Sequence, residues 1–167
     1  MSIIKEFAEA SIKPLVAAVV ALFTQRRDRS PDHDVEKIEI THPRSPLETL
    51  QDKQPYADGF SYRVTGKLKK KPEGHEIWLL NVNTREQKVY PQGFSPVTDW
   101  DAQTGEWSGR VYGKAGESIK LVALVAPPAA ADFFNYYQEI CDQGVVKALK
   151  RVPPDCTNQA SVNIKLP

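Results

Sequence analysis

Residues 60–81 read FSYRVTGKLKKKPEGHEIWLLN, and the fold turns on how they are read. Phe60, Tyr62, Val64 and Leu68 fall on alternate positions, with Gly66 between the last two. Side chains of a strand point to opposite faces with period two, so this pattern predicts one half-buried strand. Pro72-Glu73-Gly74 is turn chemistry, because Pro pre-sets φ and Gly accepts a positive φ cheaply. Ile77, Trp78, Leu79 and Leu80 then form an unbroken apolar run, as expected of a strand covered on both faces. Strand, turn and strand together predict a hairpin feeding a β-sandwich.

Downstream, Glu86 to Tyr90 reads as a short strand closed by Pro91, and 93–101 reads as loop. Trp107 to Tyr112 is a strand containing Gly109. Ser118 to Ala126 is an apolar strand with Ile119, Leu121, Ala123 and Val125 on one face, stopped by Pro127-Pro128. The period then changes. Phe133, Tyr136, Tyr137, Ile140 and Cys141 recur at three and four, so 129–142 is an amphipathic helix that Gly144 caps. Residues 145–152 continue in helix-compatible form until Pro153-Pro154. Ala160, Val162, Ile164 and Leu166 alternate as the last strand.

Upstream, 35–41 alternates with Ile38 and Ile40 on one face and ends at His42-Pro43. Residues 44–59 are polar, with Pro46, Pro55 and Gly59, and read as a long crossing loop. The expectation is a mainly β chain: about seven strands in an immunoglobulin- or transthyretin-like sandwich over 35–167, with one inserted helix.

Residues 1–30 differ in composition and predict an apolar, amphipathic helix, joined by a linker at 31–34. Pro14 predicts a kink within it. The charge-free run from Pro14 to Phe23 spans about 15 Å, half of a hydrocarbon core. A spanning length must take in Lys5, Glu6, Glu9 and Lys13, each costing about 2.5–3.5 kcal/mol near the bilayer centre. Ile12, Leu15, Val19 and Leu22 have the 3-4-3 spacing of a short helix–helix seam. Ile4, Phe7, Val16 and Phe23 complete the candidate contact set for a membrane, a second copy of the chain or a protein partner. Arg26, Arg27 and Arg29 follow the apolar run, which fits a secretory signal poorly. If the helix inserts, the positive-inside rule leaves the remainder in the cytoplasm, at the inner membrane face.

The middle of the chain carries a recurring pattern. Its elements are Val64-Thr65-Gly66, Glu73-Gly74, Ile77-Trp78-Leu79, Tyr90-Pro91-Gln92, Gly105-Glu106-Trp107 and Leu121-Val122-Ala123. Over 58–166 this resembles a loosely defined set of bacterial sandwich domains without assigned activity. The resemblance implies an accessory module of the kind joined to membrane helices or effector domains.

The 167 residues carry a net charge of +1, so no global field draws in nucleic acid or an anionic membrane. Thirteen prolines suit short strands and many turns rather than a helical bundle. Cys141 and Cys156 are open to two readings, separate thiols or a disulfide; they complete no metal set without nearby His. His33, His42 and His75 sit in no catalytic motif, so no catalytic residue, cofactor or metal is expected. Asp99-Trp100-Asp101 with Thr104 and Glu106 is open to two readings, a calcium loop or a turn held by Asx hydrogen bonds.

Lys67, Lys69, Lys70 and Lys71 form the dense basic cluster. They read either as protection of an edge strand or as a site for anionic lipid or ligand, with Arg63, Arg85, Lys88 and a loop-exposed Trp100 joining. Trp78 and Trp107 read as core. Function is expected to be non-enzymatic binding, tethered through residues 3–25. The alternative is an oligomeric membrane-acting effector of a bacterial defence system that senses an anionic ligand.

Overall fold

The computed structural model describes residues 36–83, 85–92, 94–144 and 148–166. The expected N-terminal helix with its contact residues, and the linker after it, lie outside the described residues. All described residues belong to the unit Val35–Pro167. It is mainly β, with nine strands in two antiparallel sheets and one helix among the described residues.

The first sheet contains β1 (Glu39–His42), β2 (Gln51–Tyr56), β3 (Gly59–Lys67), β6 (Asp99–Trp100) and β7 (Glu106–Gly113). β7 lies along one side of β3 from Phe60 to Lys67. β1 and β2 share the other side, β1 beside Thr65–Lys67 and β2 beside Gly59–Arg63. The second sheet runs β5 (Lys88–Pro91), β4 (Glu76–Asn83), β8 (Ser118–Ala126), β9 (Gln159–Lys165). Helix α1 (Pro128–Asp142) covers its outer face.

β4 is the strand around which the layers stack. Ile77 and Leu79 enter the core between the sheets with Tyr62, Val64, Trp107 and Val111. Trp78 and Leu80 face the other way, into a second core with Val122, Leu124, Ala130 and Phe134. β8 divides likewise, with Ile119, Leu121, Ala123 and Val125 turned inward and Val122, Leu124 and Ala126 turned to the helix. Both faces of these strands are dry, as the unbroken apolar run predicts.

The expected hairpin does not form. β3 and β4 lie in different sheets, and the segment between them crosses from one to the other. Its turn is as read: Gly74 has φ +70° and the His75 amide donates to the Pro72 carbonyl at 3.1 Å. What decides the crossing is β4's second apolar face. The outer face of the first sheet is polar, with Arg63, Lys67, Ser108 and Arg110 on it. Trp78 and Leu80 would be stranded there, whereas the second sheet offers them the helix.

Other expectations change in detail. Residues 51–56, read as loop, form β2, whose six side chains are all exposed and give no apolar alternation. Asp99–Trp100 adds a two-residue strand. Leu149 makes a single β-bridge with Val89 instead of continuing a helix. The helix is also rotated from its expected face. Ala130, Ala131, Phe134 and Tyr137 are buried, while Phe133 and Tyr136 are 42% and 62% exposed. Two alanines allow the helix backbone close to the sheet beneath Trp78, whose ring lies 5.0 Å from that of Phe134. Large residues at those positions would hold it off. Both cysteines are free thiols, and burial pushes that of Cys156 up to about 11.

Gly66 marks the tightest approach in the first sheet. A Cβ there would lie 2.1 Å from the Glu39 carbonyl oxygen and 2.1 Å from the Trp107 ring. Trp107 is buried and rigidly surrounded, so it cannot yield cheaply. Gly66→Ala is expected to lower stability by about 1–3 kcal/mol, the usual cost of overpacking, read as a lower urea midpoint at unchanged slope. An unchanged midpoint would mean that Trp107 moves aside freely.

Candidate binding groove

An open groove of about 830 Å³ lies at the ends of β4, β7 and β8. One wall is aromatic. Tyr56 closes β2, and its ring packs edge-on against Phe94 at 5.1 Å and Tyr112 at 5.6 Å between centroids. The opposite wall is the last turns of α1, with Tyr137, Gln138, Cys141 and Asp142. Asn81, Asn83, Tyr90 and Ser118 line the space between.

The groove exists because β7 loses its strand partner here. β6 pairs only with Trp107 and Ser108, so the last residues of β7 have one side without a strand. Two carboxamides of the second sheet complete that side. The Tyr112 amide donates to Gln92 Oε1 at 2.7 Å, and the Tyr112 carbonyl accepts from Asn81 Nδ2. Gln92 Nε2 also donates to the Tyr90 carbonyl at 3.2 Å. Both amides are more than nine-tenths buried, so each satisfies backbone groups that would otherwise be costly to leave unpaired. Asn81 Oδ1 has no partner among the described residues.

Asp58, at the turn between β2 and β3, braces the aromatic wall. Its carboxylate accepts from Lys114 Nζ and from the Tyr112 hydroxyl. These hydrogen bonds, that of Lys114 first, hold the Asp58 carboxyl below the usual carboxylate range. Asp58 in turn raises Lys114. Burial first, and then the bond to Asp58, pushes the Tyr112 phenol up to about 12. Across the groove, burial and then the Cys141 thiol raise Tyr137.

The eight ligand-site candidates do not converge. Lys67 pairs with Glu106 at 3.7 Å, Lys69 with Glu36 at 2.8 Å, and Lys71 donates to the His75 carbonyl at 2.9 Å. Lys70 is exposed and makes no ion pair among the described residues. β3 is a central strand at Lys67, with β1 and β7 on its two sides, so edge protection does not explain this lysine. Arg63 donates to Ser108 Oγ at 3.1 Å and lies 3.9 Å from Asp99. Trp100 is not a loop-exposed ring: it is half-buried in β6, packs on the core and donates to the Leu68 carbonyl at 2.9 Å. Arg85 and Lys88 belong to the β4–β5 hairpin in the other sheet. Lys88 pairs with Glu86 at 2.6 Å, and Arg85 alone of the eight lines the groove.

The acidic stretch at 99–106 holds turns. Asp101 Oδ1 accepts from the Gln103 amide at 2.7 Å and the Thr104 amide at 3.4 Å, while Asp99 accepts from Ser108. Among the described residues no three His, Cys, Asp or Glu side chains gather in a metal-holding arrangement. None of their helices is long and apolar enough to cross a membrane.

Most groove residues escaped the sequence reading. Tyr56 and Asn83 stood in or beside presumed loops. Arg85 is the one groove residue among the ligand-site candidates, and Asn81 left a further signal, a polar side chain at an inward position directly after an apolar run. No protein-family model, no curated protein and no solved structure matches the chain.

The Tyr112 geometry is open to titration. A neutral phenol is favoured here, so its contribution to stability is complete below pH 10, the ordinary tyrosine value, and is lost as pH rises through about 12. The phenolate absorbance difference between wild type and Tyr112→Phe is expected to be one group titrating near 12. A difference centred near 10 would mean that Asp58 does not hold this hydroxyl.

Proposed function

We propose that this protein is a non-enzymatic binding module whose sandwich captures a partner in the groove between Tyr56 and Tyr137. The observation that supports it is the groove itself. Its volume lies in the range of ligand sites, and it sets aromatic faces beside a small number of placed polar groups. Tyr56 is half exposed although it sits in a ring cluster, which leaves apolar surface ready to be covered. Two antiparallel sheets also suit the immunoglobulin- or transthyretin-like accessory domain that the sequence resembles.

The tether belongs to the same proposal and rests on sequence alone. Residues 3–25 are rich in Ala, Leu and Val, carry a short helix–helix seam and are followed by arginines. Such a segment anchors a module to an assembly or a bilayer surface. The anionic-sensor alternative draws less support, because Lys67, Lys69 and Lys71 are each engaged with protein partners.

Two measurements test the two halves. Full-length protein is expected to sediment with liposomes or elute as an oligomer, and deletion of residues 1–30 to abolish that behaviour. Identical monomeric, lipid-free behaviour of both would remove the tether. Titration with phenol, a minimal aromatic probe, is expected to shift the NMR signals of Tyr56, Tyr90 and Ser118 before others. Shifts spread over the surface without preference would remove the groove.

A further inference from the structure

Helix α1 keeps a second apolar face that the sandwich does not use. Ala129, Phe133, Tyr136 and Ile140 recur at four, three and four, so at 3.6 residues per turn they form one stripe along the helix. Ala130, Ala131, Phe134 and Tyr137 are the residues turned to the sandwich, and they leave the Phe133 and Tyr136 rings outside.

The stripe has unlike flanks. Asp132 and Glu139, two turns apart, run along one of them, and both are exposed. On the other, Leu149, Lys150 and Arg151 stand beside Ala129, Ala130 and Phe133 across a shallow depression of about 380 Å³. Asp155 shares that rim, which stays net positive. Among the described residues, Asp132, Glu139, Lys150 and Arg151 make no ion pair. Across the helix the surface therefore reads basic, apolar, acidic.

We infer that a second copy of the chain covers this face, with the two α1 helices facing each other, parallel, about a two-fold axis that runs along them. Such an axis lays each flank on the partner's opposite flank. It brings Lys150 and Arg151 over the partner's Asp132, because all three stand level with the first turns of the helix. Phe133 and Tyr136 then meet their own counterparts, as residues near an isologous axis do. With the helices antiparallel, each flank would meet its own kind, acid on acid and base on base. Charge thus selects the parallel pairing.

Other occupants match the face less well. An anionic bilayer or a nucleic acid would attract Lys150 and Arg151 but meet Asp132 and Glu139 one helix diameter away, about a Debye length. A partner of one sign loses on one flank what it gains on the other. A second copy carries the matching pattern in register. One helix of 15 residues is about 22 Å long, so the contact belongs to the small, transient class, under about 1,200 Å². It is expected to dissociate on dilution, which separates it from assembly through residues 3–25. It also lies apart from the groove, and neither reading depends on the other.

The test uses full-length protein in which a photoreactive benzoylphenylalanine replaces Tyr136. Irradiation at high protein concentration is expected to give a product of doubled mass, with the cross-link mapped to α1 of the second chain. Asp132→Lys, and separately Lys150→Glu with Arg151→Glu, are each expected to lower that yield about tenfold, since like charges then face each other. All three substitutions together restore opposite charges and are expected to return most of the yield. The three positions are exposed, and thermal melting checks that each variant folds.

Absence of a doubled-mass product would overturn the inference, as would a cross-link mapped to another segment or single-flank reversals that leave the yield unchanged. A triple variant as poor as the single-flank ones would also overturn it, since charge would then not be paired across a two-fold. Cross-links within one chain to residues 1–34 would make that segment the occupant instead of a second copy.

Discussion

A strand with no wet face is the constraint on which this molecule depends. β4 presents Ile77 and Leu79 to one layer and Trp78 and Leu80 to another. It therefore has to be roofed on both sides, and one sheet packed on another supplies only one roof. The helix supplies the second, which is why a helix is inserted between β8 and β9. Fully burying side chains of this size contributes about 1.5–3 kcal/mol each, so leaving Trp78 and Leu80 exposed would forfeit a large part of a domain's net stability. The same requirement sends the chain across the sandwich after Lys67 instead of back along β3.

The two sheets are joined at their flanks by carboxamides. On one flank Asn158 receives the Ile38 amide at 3.0 Å and donates to the Glu36 carbonyl at 2.9 Å, stitching the approach to β1 onto the start of β9. On the other, Asn81 and Gln92 hold Tyr112. An amide side chain carries a donor and an acceptor in one plane, so it can stand in for a strand where no strand fits. The groove is the space left where that substitution is made, and the Asp58 brace keeps its aromatic wall upright.

How much of this was legible in the residues follows from what each signal measures. Apolar alternation located β3, β8 and β9, and the Ile-Trp-Leu-Leu run disclosed the double burial of β4. Neither states which strand lies beside which. Pairing depends on long-range cover, here the helix, and a good turn at Pro72–Gly74 is compatible with a hairpin or a crossing. β2 was hidden because its six side chains are all exposed. The helix face was misjudged because bulk was taken for burial, while the contact was made by Ala130 and Ala131. The groove was least legible of all. Tyr56, Phe94, Tyr112 and Tyr137 come from four separate segments, and no local spacing announces that they meet.

β2 also bears on how the molecule behaves in company. It lies along β3 with its other side open among the described residues, yet it is poorly suited to recruit a neighbour's backbone. Pro55 lacks an N–H, Lys53 adds charge, and the register breaks between Gln51 and Gln54, where Asp52 has φ +47°. Copies brought to high local density would thus slide past one another along this margin instead of knitting into a common ribbon. That border is therefore a poor place for a fibril to seed.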